Sequence, residues 1–150
     1  MNVDLWKYDD LEMTVLCCLF LHPEFMESTI LEDKHFKTKS AVWIYMKSFY
    51  ERFKTFDLAL MLSMSKQKNS ILKTIMALMD YDPIGSHFKL YEQMLVEKYE
   101  ESERDEWTRE KALEIATDFY FKKITKEEFE NKIMGLSKVA DEIFKVVKEK

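Results

Sequence analysis

The residues of this chain that could bind a metal or act on a substrate are few and scattered. His22, His35 and His87 each stand alone, with no H-x-x-x-H pair to aim two imidazoles at one ion, so metal ligation is not expected and each reads as a surface or capping residue. Asp80, Asp82 and Gly85 suggest the opening of a calcium loop. Its fifth position is Ile84 and its twelfth is Tyr91, where oxygen donors are required, which rejects the reading. The only two glycines, Gly85 and Gly135, cannot build a phosphate-cradling loop, which needs glycine at several defined places. No Ser or Cys has the context of a nucleophile elbow, and nothing pairs two carboxylates as acid and base. Catalysis and cofactor binding are therefore not expected, and attention passes to surfaces and the elements that carry them.

Helical periodicity is the dominant pattern. Asp9 or Asp10 can cap a first helix in which Leu11, Val15, Cys18 and Leu19 recur, ended at Pro23, with a short helix from there to about Ile30. The cleanest stripe is Val42, Tyr45, Met46, Phe49, Tyr50 and Phe53, predicting the central helix of a compact head. Trp43 falls about 90° from the centre of that stripe, at the margin of the buried face. It can either serve a partner or pack under the first helix. Asp57 is placed to cap a helix carrying Leu58, Met61, Leu62 and Met64, and Asn69 or Ser70 one carrying Leu72, Ile75, Met76 and Met79. Asp80 to Gly85, with Pro83, breaks the pattern and predicts the joint between a head (1–84) and an appendage (85–150).

A helix beginning near Ser86 carries Phe88, Tyr91, Met94, Leu95 and Tyr99, then crosses Glu100 to Glu106 without an apolar residue, a stretch that is solvated helix or loop. Its pattern resumes at Ala112, Ile115, Ala116, Phe119 and Tyr120. Thr125-Lys126-Glu127-Glu128 is a capping box that starts the last helix, where Phe129, Ile133, Leu136, Ala140, Ile143 and Val147 repeat every three or four residues like the seam of helices packed side by side. The short turn between the two predicts an antiparallel hairpin. Val139 and Val146, with Gly135, form a second stripe beside the seam, more apolar surface than one hairpin covers, so self-association is expected.

The fold class that follows is all-α. Two Gly, two Pro and ten Met among 150 residues disfavour a sheet, and 14% aromatic residues exclude disorder. The ten Met read as core before ligand site, although methionine also suits adaptable partner surfaces. The formal net charge of -5 repels a phosphate backbone unless cations are segregated on one face, and Lys122 with Lys123, or Lys66 with Lys68, are too few for a nucleic-acid stripe, so no strong direct binding is expected. The adjacent Cys17 and Cys18 form no C-x-x-C pair and read as buried apolar residues in a reducing compartment. Neither a leader nor a membrane-length apolar run is apparent, giving a cytoplasmic expectation without a membrane partner.

Glu12, Val15-Leu16, Cys17-Cys18, Leu19 to Leu21 and His22-Pro23-Glu24 resemble the first core helix of the N-terminal domain of DnaB-type replicative helicases. Phe36, then Trp43 to Arg52, then Asp57-Leu58 are similar to that family's next block, so order and spacing agree over roughly residues 10 to 80. Phe53 and Cys17 stand where the family has glycine, and the His-Arg pair common before the central helix is missing. The helicase-binding domain of bacterial primases has a similar head-and-hairpin plan. The chain to Lys150 carries no ATPase domain. The resemblance therefore implies a phage or mobile-element replication accessory protein that binds a replicative helicase, a helicase loader or primase, to recruit, load or inhibit. Its interface is expected at Ile115, Phe119, Phe129, Ile133, Leu136 and Ile143, which hold a homodimer or higher oligomer, and at Trp43 of the head. An oligomeric scaffold without helicase contact is the alternative.

Overall fold

The computed structural model describes residues 3–64 and 69–148, and within them every regular element is a helix. Among the described residues six α-helices follow one another: α1 (Tyr8–Leu21), α2 (Ser40–Phe53), α3 (Leu58–Met64), α4 (Asn69–Ala77), α5 (Phe88–Tyr120) and α6 (Lys126–Lys148). Short 3-10 turns at Pro23–Glu27, Asp33–His35, Leu78–Asp80 and Gly85–His87 link them. Lys66 and Lys68 lie outside the described residues, as do the side chains of Asn69, Val146 and Val147.

The chain divides into two compact units, residues 1–96 and 97–150. The expected joint at Asp80 to Gly85 is a real break between helices, yet the division falls twelve residues after position 84, inside α5. The reason is packing: Phe88, Tyr91, Glu92 and Leu95 on the first turns of α5 are buried with the head. Glu100 to Glu106 is helix, since its charges all reach solvent without interrupting backbone hydrogen bonds.

At the centre of the head lies α1, buried without interruption from Leu11 to Leu19. A helix apolar on all sides must be wrapped on all sides, and that is its position. Its start differs from the expectation: neither Asp9 nor Asp10 caps it, because an Asp4 turn lets the helix begin at Tyr8. Asp10 instead accepts from the Asp4 amide (3.0 Å) and from the Tyr81 hydroxyl (3.0 Å). The first turn after α1 is only five residues long, Pro23–Glu27. Val42, Met46, Phe49 and Tyr50 of α2 enter the core as their spacing predicts, and Asp57 accepts from the Leu60 amide at the start of α3 (3.1 Å). In α4, Leu72 and Ile75 turn inward, while Met76, and Met79 just beyond it, remain nearly half exposed.

Three buried polar side chains tie the head's non-helical segments down. Glu12, fully buried on α1, accepts from the Thr38 amide, the Thr38 hydroxyl (2.5 Å) and the Lys39 amide, so a carboxylate from one helix serves the N-terminus of another. Burial pushes its carboxyl above the usual range, against the pull of these bonds. Glu92 on α5 holds the segment before α2 through the Thr29 hydroxyl (2.5 Å) and the Ile30 amide (3.2 Å). The His35 ring accepts from the Glu32 amide through Nδ1 (2.9 Å), and burial lowers its affinity for a proton.

Candidate interaction surface

The second unit is an antiparallel hairpin of α5 beyond Val96 and α6. Its turn is set by two local devices. α5 ends with the Lys123 amide bonded to the Asp118 carbonyl (2.8 Å) and the Lys122 amide to that of Phe119 (3.0 Å), with Lys122 left-handed at φ 60°. α6 begins with the expected capping box, the Glu128 amide donating to the Thr125 hydroxyl (3.1 Å) and the Thr125 amide to the Glu128 carboxylate (3.2 Å). Phe119 then stacks on Phe129 with ring centroids 4.7 Å apart. At the other end Trp107 meets Phe144 edge-on (6.1 Å), and the Arg104 guanidinium pairs with Asp141.

Of the residues expected at the interface, Ile115, Phe129 and Leu136 are half-buried along the seam, together with Ala140, which is fully buried. Phe119, Ile133 and Ile143 remain exposed. Val139 is 44% and Ile143 49% exposed, and with Leu136 they share one stripe of α6 by their spacing of three and four residues. Gly135, one turn before Val139, has nothing within 4 Å of where a Cβ would stand, so that stretch of α6 is open to close approach. On α5, Leu113 and Tyr120 are 68% and 79% exposed and align with Ala116, and of these three the sequence pattern left out only Leu113. The spacing of seven from Leu113 to Tyr120 was the available signal for Leu113.

Trp43 does not belong to this surface. It is 2% exposed, stacked on Phe36 (4.7 Å), and its indole N–H donates to Asp33 (2.7 Å). The expectation of a partner-facing Trp43 is corrected: the 3-10 turn and Phe36 fold over the margin of α2 where the ring lies, satisfying both its apolar body and its polar edge. Only the rim of that region is open, as a depression of about 310 Å³ lined by Met26, Leu31, Trp43, Lys47, Tyr50 and Lys54 among others.

The two cysteines are buried on α1. The Cys17 thiol donates to the Leu78 carbonyl (3.2 Å), and burial, helped by Asp82, pushes it up to about 11; burial, with Cys17 alongside, pushes Cys18 to about 12. Neither is a nucleophile at neutral pH. His22 lies against Phe25 and Gly85, where an added Cβ would stand 2.5 Å from its Nε2. Among the described residues no three metal-ligating side chains converge, and no helix is long and apolar enough to cross a membrane.

Comparison with known proteins returns no relative: no family model matches the chain, and no curated protein or solved structure is similar to it at a significant level. What the coordinates establish is the class, an all-α chain with a densely packed head and a helical hairpin.

Proposed function

We propose that this protein is a non-enzymatic DNA-replication accessory factor that binds a replicative helicase, a helicase loader or primase through protein–protein contacts. The observation that carries the reading is the ordered agreement of Glu12 to Glu24, Trp43 to Arg52 and Asp57-Leu58 with helicase N-terminal domains, on a chain whose two cysteines and His35 are buried in the head. The exposed Val139 and Ile143 support a second part of the proposal, that hairpins pair into a homodimer or larger ring. Recruitment, loading and inhibition are all served by such a helicase-like surface, and the cytoplasm is where it would act.

Affinity capture from the host lysate with the full chain, read by mass spectrometry, tests it. Recovery of helicase, loader or primase, lost when the head is unfolded by a core substitution, is the expected result. Capture that yields a stable oligomer and no replisome protein would favour the scaffold reading, for which the exposed hairpin stripes are the motivating observation.

A further inference from the structure

One face of α6 carries a charge order of its own. Lys132, Gly135, Val139 and Glu142 recur at spacings of three, four and three, so they line a single face of the helix. Lys132, Val139 and Glu142 are exposed, and the exposed Ile143 flanks them. Ala140, which is fully buried, lies about 100° round the helix from Val139, so the stripe is separate from the face that the hairpin covers. Gly135 is the residue that the fold itself does not explain. Glycine inside a helix costs about 1 kcal/mol relative to alanine, yet nothing stands within 4 Å of where its Cβ would be.

From its N-terminal end the stripe runs base, glycine, apolar, acid; from its C-terminal end it runs acid, apolar, glycine, base. It is the complement of its own reverse. A foreign helix would need that order by coincidence, whereas a second copy of the chain has it necessarily.

We propose that α6 pairs with α6 of a second copy in antiparallel orientation, about a two-fold axis at the level of Ser137. Each Lys132 then lies opposite the partner's Glu142, and each Gly135 opposite the partner's Val139, because both pairs have position 137 as their midpoint. Val139 fills the space that the missing side chain leaves, and the backbones approach closely there. The proposal rests on the reading of the hairpin as a self-pairing element and fixes which helix pairs and in which direction. Parallel pairing would set Lys132 against Lys132 and Glu142 against Glu142. Sliding the antiparallel pair by seven residues would set Glu142 or Glu128 against Val139, a charge against an apolar side chain. Of the remaining acids of α6, Asp141 is paired with Arg104 and Glu128 accepts from the Thr125 amide. Lys138 meets its own copy only at the solvent edge, where two long side chains can swing apart. A two-fold contact of this kind uses the same patch on both chains and closes at two.

Sedimentation equilibrium of the full chain tests it. Lys132→Glu and Glu142→Lys, each turning two attractions into two repulsions, should each raise the dimer dissociation constant roughly tenfold at low salt and less at high salt. The double swap, Lys132→Glu with Glu142→Lys in one chain, should restore the wild-type constant, which parallel pairing would not do. Gly135→Leu should weaken the dimer while raising the thermal midpoint of the monomer, opposite signs that a residue without an interface role would not give. A wild-type dimer that the single reversals or Gly135→Leu leave unchanged, or that the double swap fails to restore, would overturn the antiparallel arrangement and leave hairpin pairing standing. A wild-type chain that stays monomeric at every concentration would overturn both.

Discussion

The head and the hairpin solve the same problem, how to keep apolar helix faces from water, in opposite ways. In the head α1 is enclosed over nine consecutive residues, and even the charged Glu12 and Glu92 are buried with their acceptors occupied. In the hairpin Ala140 is the one fully buried side chain among those described, while Leu113, Val139, Ile143 and Met134 remain in water. Two helices can cover only one face of each other. The lesson is that the head encloses its apolar faces within itself, whereas the hairpin leaves apolar side chains in contact with water.

Truncation in the head should give the largest effect. Leu16 is completely buried on α1, so Leu16→Ala removes packing and leaves a cavity, at a cost of about 2–5 kcal/mol. The loss, read by urea unfolding of the head's signals, should not depend on protein concentration. If it did, the head would not be self-sufficient and the contrast would fail. The matching change in the hairpin is Val139→Asp with Ile143→Asp, on residues nearly half exposed in the monomer. Little change is expected in the fold of a single chain, but sedimentation equilibrium should show self-association weakened at least tenfold, about 1.4 kcal/mol or more. An unaltered mass would remove this stripe from the interface.

Glu12 sharpens the comparison through pH. Glu12→Ala should cost about 1–3 kcal/mol by stripping the start of α2 of its acceptor. Glu12→Gln should cost less, because one oxygen can still accept from the Thr38 and Lys39 amides while the new amide donates to the Thr38 hydroxyl. The folded carboxyl binds its proton more tightly than the unfolded one, so this group's contribution is fully present below the unfolded value near 4.5 and is lost as pH rises through the higher folded value. Wild type should therefore gain on Glu12→Gln as pH falls toward 4.5, measured by chemical denaturation at each pH. A difference between the two that stays flat with pH, or grows in the other direction, would mean that burial is not the dominant influence on this carboxyl.

What the sequence made legible follows from which forces leave a periodic trace. The α2 stripe, the Asp57 cap and the capping box at Thr125 are all local or helical regularities, and the structure contains each of them. Glu92 left no such trace, since a charged residue on an amphipathic helix reads as surface until Thr29 and the Ile30 amide are found against it. Trp43 was ambiguous for a related reason. Its burial depends on Phe36 and Asp33, which lie in an irregular segment whose path no period describes. The division inside α5 was hidden because one unbroken helix serves the head with its first turns and the hairpin with the rest, while the visible Pro83 and Gly85 mark a break between helices within the head. As for the interface, the seam was legible and the exposure of its neighbours was not, because spacing shows which residues share a face without showing what covers it.

The smallest expected effect contrasts the two left-handed lysines. Replacing either by glycine removes a strained side chain, a gain of about 0.5–1 kcal/mol after glycine's own entropy penalty is counted. In the head, Lys54→Gly also removes the ammonium from the Tyr50 ring, a loss of roughly 0.5–1 kcal/mol that should cancel the gain. In the hairpin, Lys122→Gly forfeits no internal contact, so the full gain should appear in the thermal midpoint. Equal midpoint shifts for the two variants would erase the distinction, since it would mean that Lys54 draws nothing from its ring or that Lys122 has a use within the fold; a rise confined to Lys122→Gly would show a hairpin turn holding a lysine against its own backbone preference.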